Sequence, residues 1–487
     1  MDYRHFCKSV LYCVSVFALF SIAGCSQNPL TGKQEFTGLM SEQQEQSIGA
    51  AEHQQIIKEY GGVYDHPGIQ AYVNEIGQKL ARQSDRPDVQ YHFTVLDSPI
   101  VNAFALPGGY VYVTRGTLVL ANSEAELAAV LGHEIGHVAA RHQASRYSQG
   151  VLTQLGASVL SAAIGMPAAS QAIGLGTNLY MSSYSRDQES EADILGVRYL
   201  DRTGYDRMAM SDFLRDMQLH QSTEAQVKGK QEKKADFFSS HPDTVGRVVT
   251  SRAEAQKYPP NAKPLENRDR YLSMVRGMLY GDNLSQGFVR DNAFYHPEIG
   301  FVLSIPQGFN VDNKPERLAV EGRDGTIFVL DMAGSKGASS AEDYVAQVWL
   351  KGRGQTIEPL EVNGMHAATT ALQGSIKNQP VNVRLVAIEW GKNDFVRMQM
   401  LIPNGASQAA VDDMKRISYS FHQITSSERK LAKPYQVDLV KAGAGDTVQS
   451  LALRMGVSKM QVEQFAALNG LTPAQPLVAG RMYKVIR

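Results

Sequence analysis

Apolar and polar positions change their period several times along this chain of 487 residues. Leu127, Val130, Leu131 and Val138 keep helical spacing. Ser123-Glu124-Ala125-Glu126 ahead of them reads as a capping box, so a helix is predicted over about 123–147. Before it, residues 100–105 and 110–114 read as strands joined by the turn Pro107-Gly108-Gly109. Ser185 and Gln188 form a second capping box, and another helix should begin there. After about residue 285 the period shortens to two: Phe301, Leu303 and Ile305 alternate up to Pro306. Further strands are predicted at 327–330, 381–390 and 395–402, with helices near 341–350 and 406–419.

Two apolar stretches need separate treatment. Arg4, His5 and Lys8 precede a short apolar run from Val10 to Ile22, which closes on Ala23-Gly24-Cys25. A basic start, a short apolar region and small residues before a cut describe a secretory signal over 1–24. An uncleaved anchor helix is the other reading. The ending resembles a bacterial lipobox, which implies cleavage before Cys25, acylation of its thiol and, with Ser26 following, sorting to the outer membrane. The second stretch, 147–185, carries no charge, which leaves membrane contact open as a reading. Pro167 and five glycines from Gly150 to Gly176 favour small-residue helices packed in a soluble domain.

Length predicts two to four domains. A formal net charge of −1 argues against a nucleic-acid binder working through a basic surface. Cys7 and Cys13 leave with the signal and Cys25 is taken by lipid, so no disulfide is expected.

The predicted 123–147 helix carries His133-Glu134-Ile135-Gly136-His137. Residues four apart share a helical face, so both imidazoles can bind one ion, while Glu134 stands one step round, within reach of a water beside it. A hydrolytic zinc site takes three protein ligands and leaves a place for water. Glu189 is assigned as the third ligand, four residues from Asp193 on one face, with Asp193 accepting from a histidine N–H; Glu191 points away from both. Alternatively these acids only complement the positive end of their helix. An edge strand through Asn102, Ala103 and Phe104 could hold an extended substrate by backbone hydrogen bonds, or be an ordinary core hairpin.

His133-Glu134-x-x-His137, Glu189-x-x-Ala192-Asp193 with Gly196, and Asn102 to Gly109 together resemble the zinc protease family of the CAAX prenyl protease and HtpX, nearest its soluble periplasmic branch. The resemblance covers about residues 27–260. It implies a zinc metalloendopeptidase with one Zn2+ per chain and Glu134 as general base. It also places His241, within Ser240-His241-Pro242, at the active site as a possible fourth, switchable ligand. Arg247 is implied near the cleft, where it would hold a substrate carbonyl. If His241 closes the site at rest, the polar segment 224–236 is a candidate lid; a plain solvated loop is the alternative.

The remaining strands and helices indicate a small α+β domain over 290–424 that resembles the domains related to the photosystem protein PsbP. The tail, 434–487, resembles a LysM module in Gly445-Asp446-Thr447-Val448, Asn469-Gly470-Leu471 and Val478-Ala479-Gly480. That likeness implies glycan binding, although the usual proline before Gly445 is absent and a structural cap is equally open. The expected fold class is therefore multidomain α+β: a mainly helical zincin-type protease domain with a small edge sheet over 25–285, the small α+β domain, and a βααβ module. The expected function is proteolysis of misfolded or unassembled envelope polypeptides by a lipid-anchored periplasmic enzyme. The rivals are a non-enzymatic assembly factor with a closed zinc site and a peptidoglycan-binding protein.

Overall fold

The computed structural model describes residues 25–28, 32, 34–37, 39–150, 183–228, 241, 244–282, 284–290, 292–314, 316–376, 379–457 and 459–487. The signal region 1–24, most of the uncharged 147–185 stretch and most of 224–236 lie outside them. The chain forms two compact units, one from residues up to 227 with 231–278 and 436–487, the other from 228–230 and 279–435. No helix among the described residues is long and apolar enough to cross a membrane.

In the first unit, β1 (Cys25–Gln27) pairs antiparallel with β2 (Gln34–Phe36). Helices α1 (Glu42–Glu59) and α2 (Pro67–Ala81) follow, then a sheet of β3 (His92–Leu96), β4 (Ala103–Leu106) and β5 (Tyr110–Thr114). Its order is β3-β5-β4, with β3 parallel and β4 antiparallel to β5, so β4 lies on an edge. Gly108 and Gly109 make the β4–β5 turn at φ 81° and 90°, where a side chain would be strained. Phe104 and Tyr112 pack with Tyr60 and Leu96 in a core beneath α1.

The short α3 (Arg115–Leu120) leads to α4 (Glu124–Ala139), which carries the two motif histidines and is buried along its whole length. The Ser123 side chain accepts from the Glu126 N–H as expected, but Glu126 reaches the Asn122 N–H at 2.7 Å instead of closing a capping box. The helix is also shorter than its predicted 123–147. It stops at Ala139, Arg141 turns left-handed at φ 55°, and residues 142–150 resume as a separate helix. The cause is distant in sequence: the Arg141 guanidinium donates to Glu45 Oε1 (2.9 Å), Thr37 Oγ1 (3.3 Å) and the Met40 carbonyl (2.7 Å).

Helix α5 (Arg186–Thr203) begins with the predicted capping box of Ser185 and Gln188 and ends at Gly204, φ 79°. It lies directly on α4. A Cβ on Gly196 would stand 3.1 Å from the His133 nitrogen, and one on Gly136 would stand 3.0 Å from the Ala192 carbonyl oxygen. Glycine at those points sets the helix separation. Helices α6 (Ala209–Lys228), α7 (Thr244–Ala255) and α8 (Arg268–Val275) complete this part.

The C-terminal residues belong to the same unit. Strand Tyr435–Lys441, helices Val448–Ala452 and Gln461–Leu468, and strand Met482–Ile486 follow in order, the two strands pairing antiparallel. From the last strand, fully buried Lys484 donates to the carbonyls of Val119 (2.6 Å), Leu120 (2.9 Å) and Ala121 (2.8 Å), closing the C-terminal end of α3. Burial pushes its ammonium down to about 7 against the pull of Glu126 and Asp216. The chain's end thereby grips the loop from which the histidine helix starts.

The second unit is built on a seven-stranded antiparallel sheet, in the order Asn310–Lys314, Arg317–Glu321, Ile327–Gly334, Asp394–Pro403, Gln379–Trp390, Met365–Ile376 and Glu358–Val362. A four-stranded sheet that includes Phe301–Ser304, together with the helix Gln408–Ser420, shares one apolar core with it through Phe301, Phe328, Val396 and Met414. The 341–350 segment is helical from Ala341 but changes at Tyr344 to a π-helix through Trp349.

Two stability outcomes are expected. Lys484→Met leaves three carbonyls without their donor and two acids without their counter-charge, and should lower the unfolding free energy by about 2–4 kcal/mol. Urea denaturation followed by far-ultraviolet circular dichroism checks this, with Lys441→Met as the exposed control. In the second unit, burial pushes His296 down to about 4 from an ordinary 6.5, while its Nδ1 accepts from the Ile299 N–H. The unfolded chain takes up that proton first, so stability is full above pH 6.5 and is lost as pH falls towards 4. Melting curves between pH 7.5 and 4 should show that slope, and His296→Leu should flatten it.

Candidate metal centre

Ligand-type atoms of His133, His137, Glu189 and His241 lie within 4.8 Å of one another, and all four residues are buried. Helix α4 supplies the first two, one turn apart, and their Nε2 atoms are 3.1 Å from each other. Helix α5 supplies Glu189, whose Oε2 is 3.6 Å from His133 Nε2 and whose Oε1 is 3.4 Å from His137 Nε2. His241, just ahead of α7, brings Nδ1 to 3.2 Å from His133 Nε2 and 2.8 Å from Glu189 Oε1.

Those separations test the donor set. Four ligand atoms at about 2.0–2.1 Å around a tetrahedral zinc stand about 3.3 Å apart. The five separations given above, 2.8 to 3.6 Å, bracket that value, and no pair of donor atoms is further apart than 4.8 Å. Charge gives a second test. The carboxylates of Glu134, Glu189 and Asp193 are enclosed with one guanidinium, Arg247. The carboxylates outnumber the guanidinium, and that excess of negative charge suits a cation. The residues fit zinc on both counts.

The surroundings bias the donors differently. Burial pushes the His137 imidazole well below its ordinary range, which keeps it a neutral lone-pair donor. Burial alone would raise Glu189, but His241 and Arg247 outweigh it and hold the carboxylate well below the usual range. Burial also opposes protonation of His241, yet the facing carboxylates of Glu189 and Glu134 raise it. The Tyr184 ring stacks on His137 at a centroid distance of 3.8 Å.

Glu134 is fully buried beside the cluster, with Oε1 3.7 Å from His241 Nε2. Neither of its oxygens has a hydrogen-bond partner among the described residues, and burial pushes the carboxyl upward. A buried carboxylate left this way is costly, and a nearby cation or water relieves the cost.

Asp193 stands where the sequence put it, one turn from Glu189, with Oδ1 2.9 Å from His133 Nδ1. Arg247 is placed differently from the expectation of a substrate contact. Its Nε and Nη2 donate to Asp193 at 2.8 and 2.7 Å, and Nη1 lies 2.6 Å from Glu189 Oε2. The Arg247 side chain is 4% exposed, and its donors serve Glu189 and Asp193. Asn102 precedes edge strand β4, and its carbonyl accepts from the Thr114 N–H. The alternation therefore turns the backbone groups of Ala103 and Ala105 outward and those of Phe104 towards β5. The Ala105 carbonyl already accepts from Gln143 Nε2 at 3.2 Å. Cys25 opens β1 in the same unit. Sequence reading did not single out His142 or Gln143, whose approach follows from the turn at Arg141, nor Tyr184, which reaches His137 from just ahead of the start of α5.

Residues 67–255 match the model of Peptidase family M48. A putative beta-barrel assembly-enhancing protease of Vibrio cholerae is 30% identical over 223 residues, 44% of each chain. The beta-barrel assembly-enhancing protease of Escherichia coli is 28% identical over 231 residues, covering 45% of this chain and 46% of the relative. The human mitochondrial metalloendopeptidase OMA1 is 26% identical over 274 residues, covering 52% and 51%. The chain spans about half the length of these relatives.

If Asp193 orients His133, then Asp193→Asn should weaken zinc binding about 10–100-fold, measured by competition with a chromophoric chelator. Loss of the ligand itself in Glu189→Ala should cost at least as much.

Proposed function

We propose that the region matching Peptidase family M48 is the catalytic part of a zinc-dependent metalloendopeptidase of the cell envelope. One observation carries the reading: three donors of the type and spacing zinc requires converge beside a buried carboxylate that has no hydrogen bond among the described residues.

When bound, zinc supplies Lewis acidity towards a scissile carbonyl and lowers the pKa of water. The remaining work belongs to the chain. Glu134 takes a proton from the attacking water at its carboxylate and delivers it to the leaving amine; its raised affinity for protons suits both steps. Arg247 and Asp193 keep Glu189 and His133 in place. Strand β4 lies on the edge of its sheet and is buried in this structure; once uncovered, it would hold an extended peptide with little demand on side-chain sequence. Tolerance of sequence suits a substrate class of misfolded or unassembled envelope polypeptides. The lipobox-like ending supports a periplasmic enzyme tethered to the outer membrane by acyl chains on Cys25.

A specific observation favours a second reading. His241 Nδ1 completes a four-donor set. With all four bound, an ion has no position for water. If that state is permanent the protein is a non-enzymatic assembly factor; if it opens, His241 is a gate.

With zinc-loaded protein and casein as an unfolded substrate, wild type is expected to cleave slowly. Glu134→Gln should keep its zinc and lose about 10²–10⁴-fold in rate. Equal rates in the two would remove Glu134 as the base. His241→Ala should cleave faster than wild type if the histidine gates the site, and a slower variant would give it a role in substrate binding.

A further inference from the structure

His142 carries this inference, and it exists as a neighbour of the centre only because the helix breaks. In one continuous helix, residue 142 would sit about 140° round from residue 137 and face elsewhere. With Arg141 left-handed, the chain turns back and brings His142 Nδ1 to 2.8 Å from His137 Nδ1. His142 is fully buried, and its Nε2 lies 3.4 Å from Glu191 Oε2 on α5.

Tautomer chemistry fixes the direction of this chain. His137 turns Nε2 towards His133 Nε2 and Glu189 Oε1, and a metal bound among them would take the Nε2 lone pair. Its proton then sits on Nδ1 and is donated to His142. The accepting His142 Nδ1 is unprotonated, which puts the second proton on Nε2, facing Glu191. The other motif histidine has the same arrangement without the extra ring: His133 Nδ1 faces Asp193 directly at 2.9 Å.

We propose that His142, backed by Glu191, is a positioning residue that fixes the tautomer and ring orientation in which His137 presents Nε2 to the metal. This rests on the zinc-site reading above, and the experiment separates the two. Zinc affinity is measured by chelator competition, together with the melting temperature of metal-free protein, for wild type, His142→Phe, His142→Asn and Glu191→Leu.

His142→Phe keeps the aromatic bulk and removes the acceptor. It should bind zinc about 10–100-fold more weakly than wild type while the metal-free melting temperature is unchanged. His142→Asn places an amide oxygen near the lost Nδ1 and should recover most of that affinity. Glu191→Leu, acting one bond further out, should lose a smaller factor, about 3–10-fold. Wild-type affinity in His142→Phe overturns the proposal, as does failure of His142→Asn to recover more than the phenylalanine variant. Should His142→Phe not fold, Glu191→Leu decides, and wild-type affinity there is the refuting result. Wild type that holds no stoichiometric zinc would instead refute the metal-site reading itself.

Discussion

The close crossing of the histidine helix and the helix of Glu189 is the constraint from which the site follows. Gly136 and Gly196 let the two backbones approach until the Glu189 carboxylate stands 3.4 to 3.6 Å from the two imidazoles. A Cβ at either glycine would force the facing backbone back by a few tenths of an ångström. The same approach places Asp193 behind His133 and Glu191 behind His142, so one helix contact determines both the donors and what holds them.

Bringing so many acids out of water raises an electrostatic cost that the fold meets in part. Arg247 spans Glu189 and Asp193 and is fixed by both. Glu134 has His241 at 3.7 Å but no hydrogen-bond partner among the described residues. A structural carboxylate would be expected to find one; a group that must exchange protons with substrate and water is better left without. Inequality between neighbouring carboxylates, one held firmly ionised and one pushed up, is how a single pocket can both bind a cation and transfer a proton.

Much of this was legible in the sequence because it is local. The caps at Ser123 and Ser185, the i, i+4 histidines and the pairing of Glu189 with Asp193 depend on residues within one or two turns. What was missed depends on distant partners. An arginine gives no sign of a left-handed turn; Arg141 adopts one because Glu45, Thr37 and Met40 hold its guanidinium, and only that turn delivers His142. Arg247 is a basic residue on a helix until Asp193 and Glu189 are seen around it. Nothing local marks Lys484 in the last strand as a buried residue, yet it is buried against α3. In the second unit, 365–376 alternates weakly, with Thr369 and Thr370 both buried, so one of the longest strands left little periodic signal.

The central claim is that a buried set of imidazoles and one carboxylate from these helices holds a divalent ion. X-ray absorption at the zinc edge of the loaded protein tests it most directly. The account predicts a low-coordinate shell of nitrogen and oxygen at about 2.0 Å, with outer-shell scattering from two or three imidazoles and no sulfur. A six-coordinate oxygen shell, or a sulfur ligand, would contradict it.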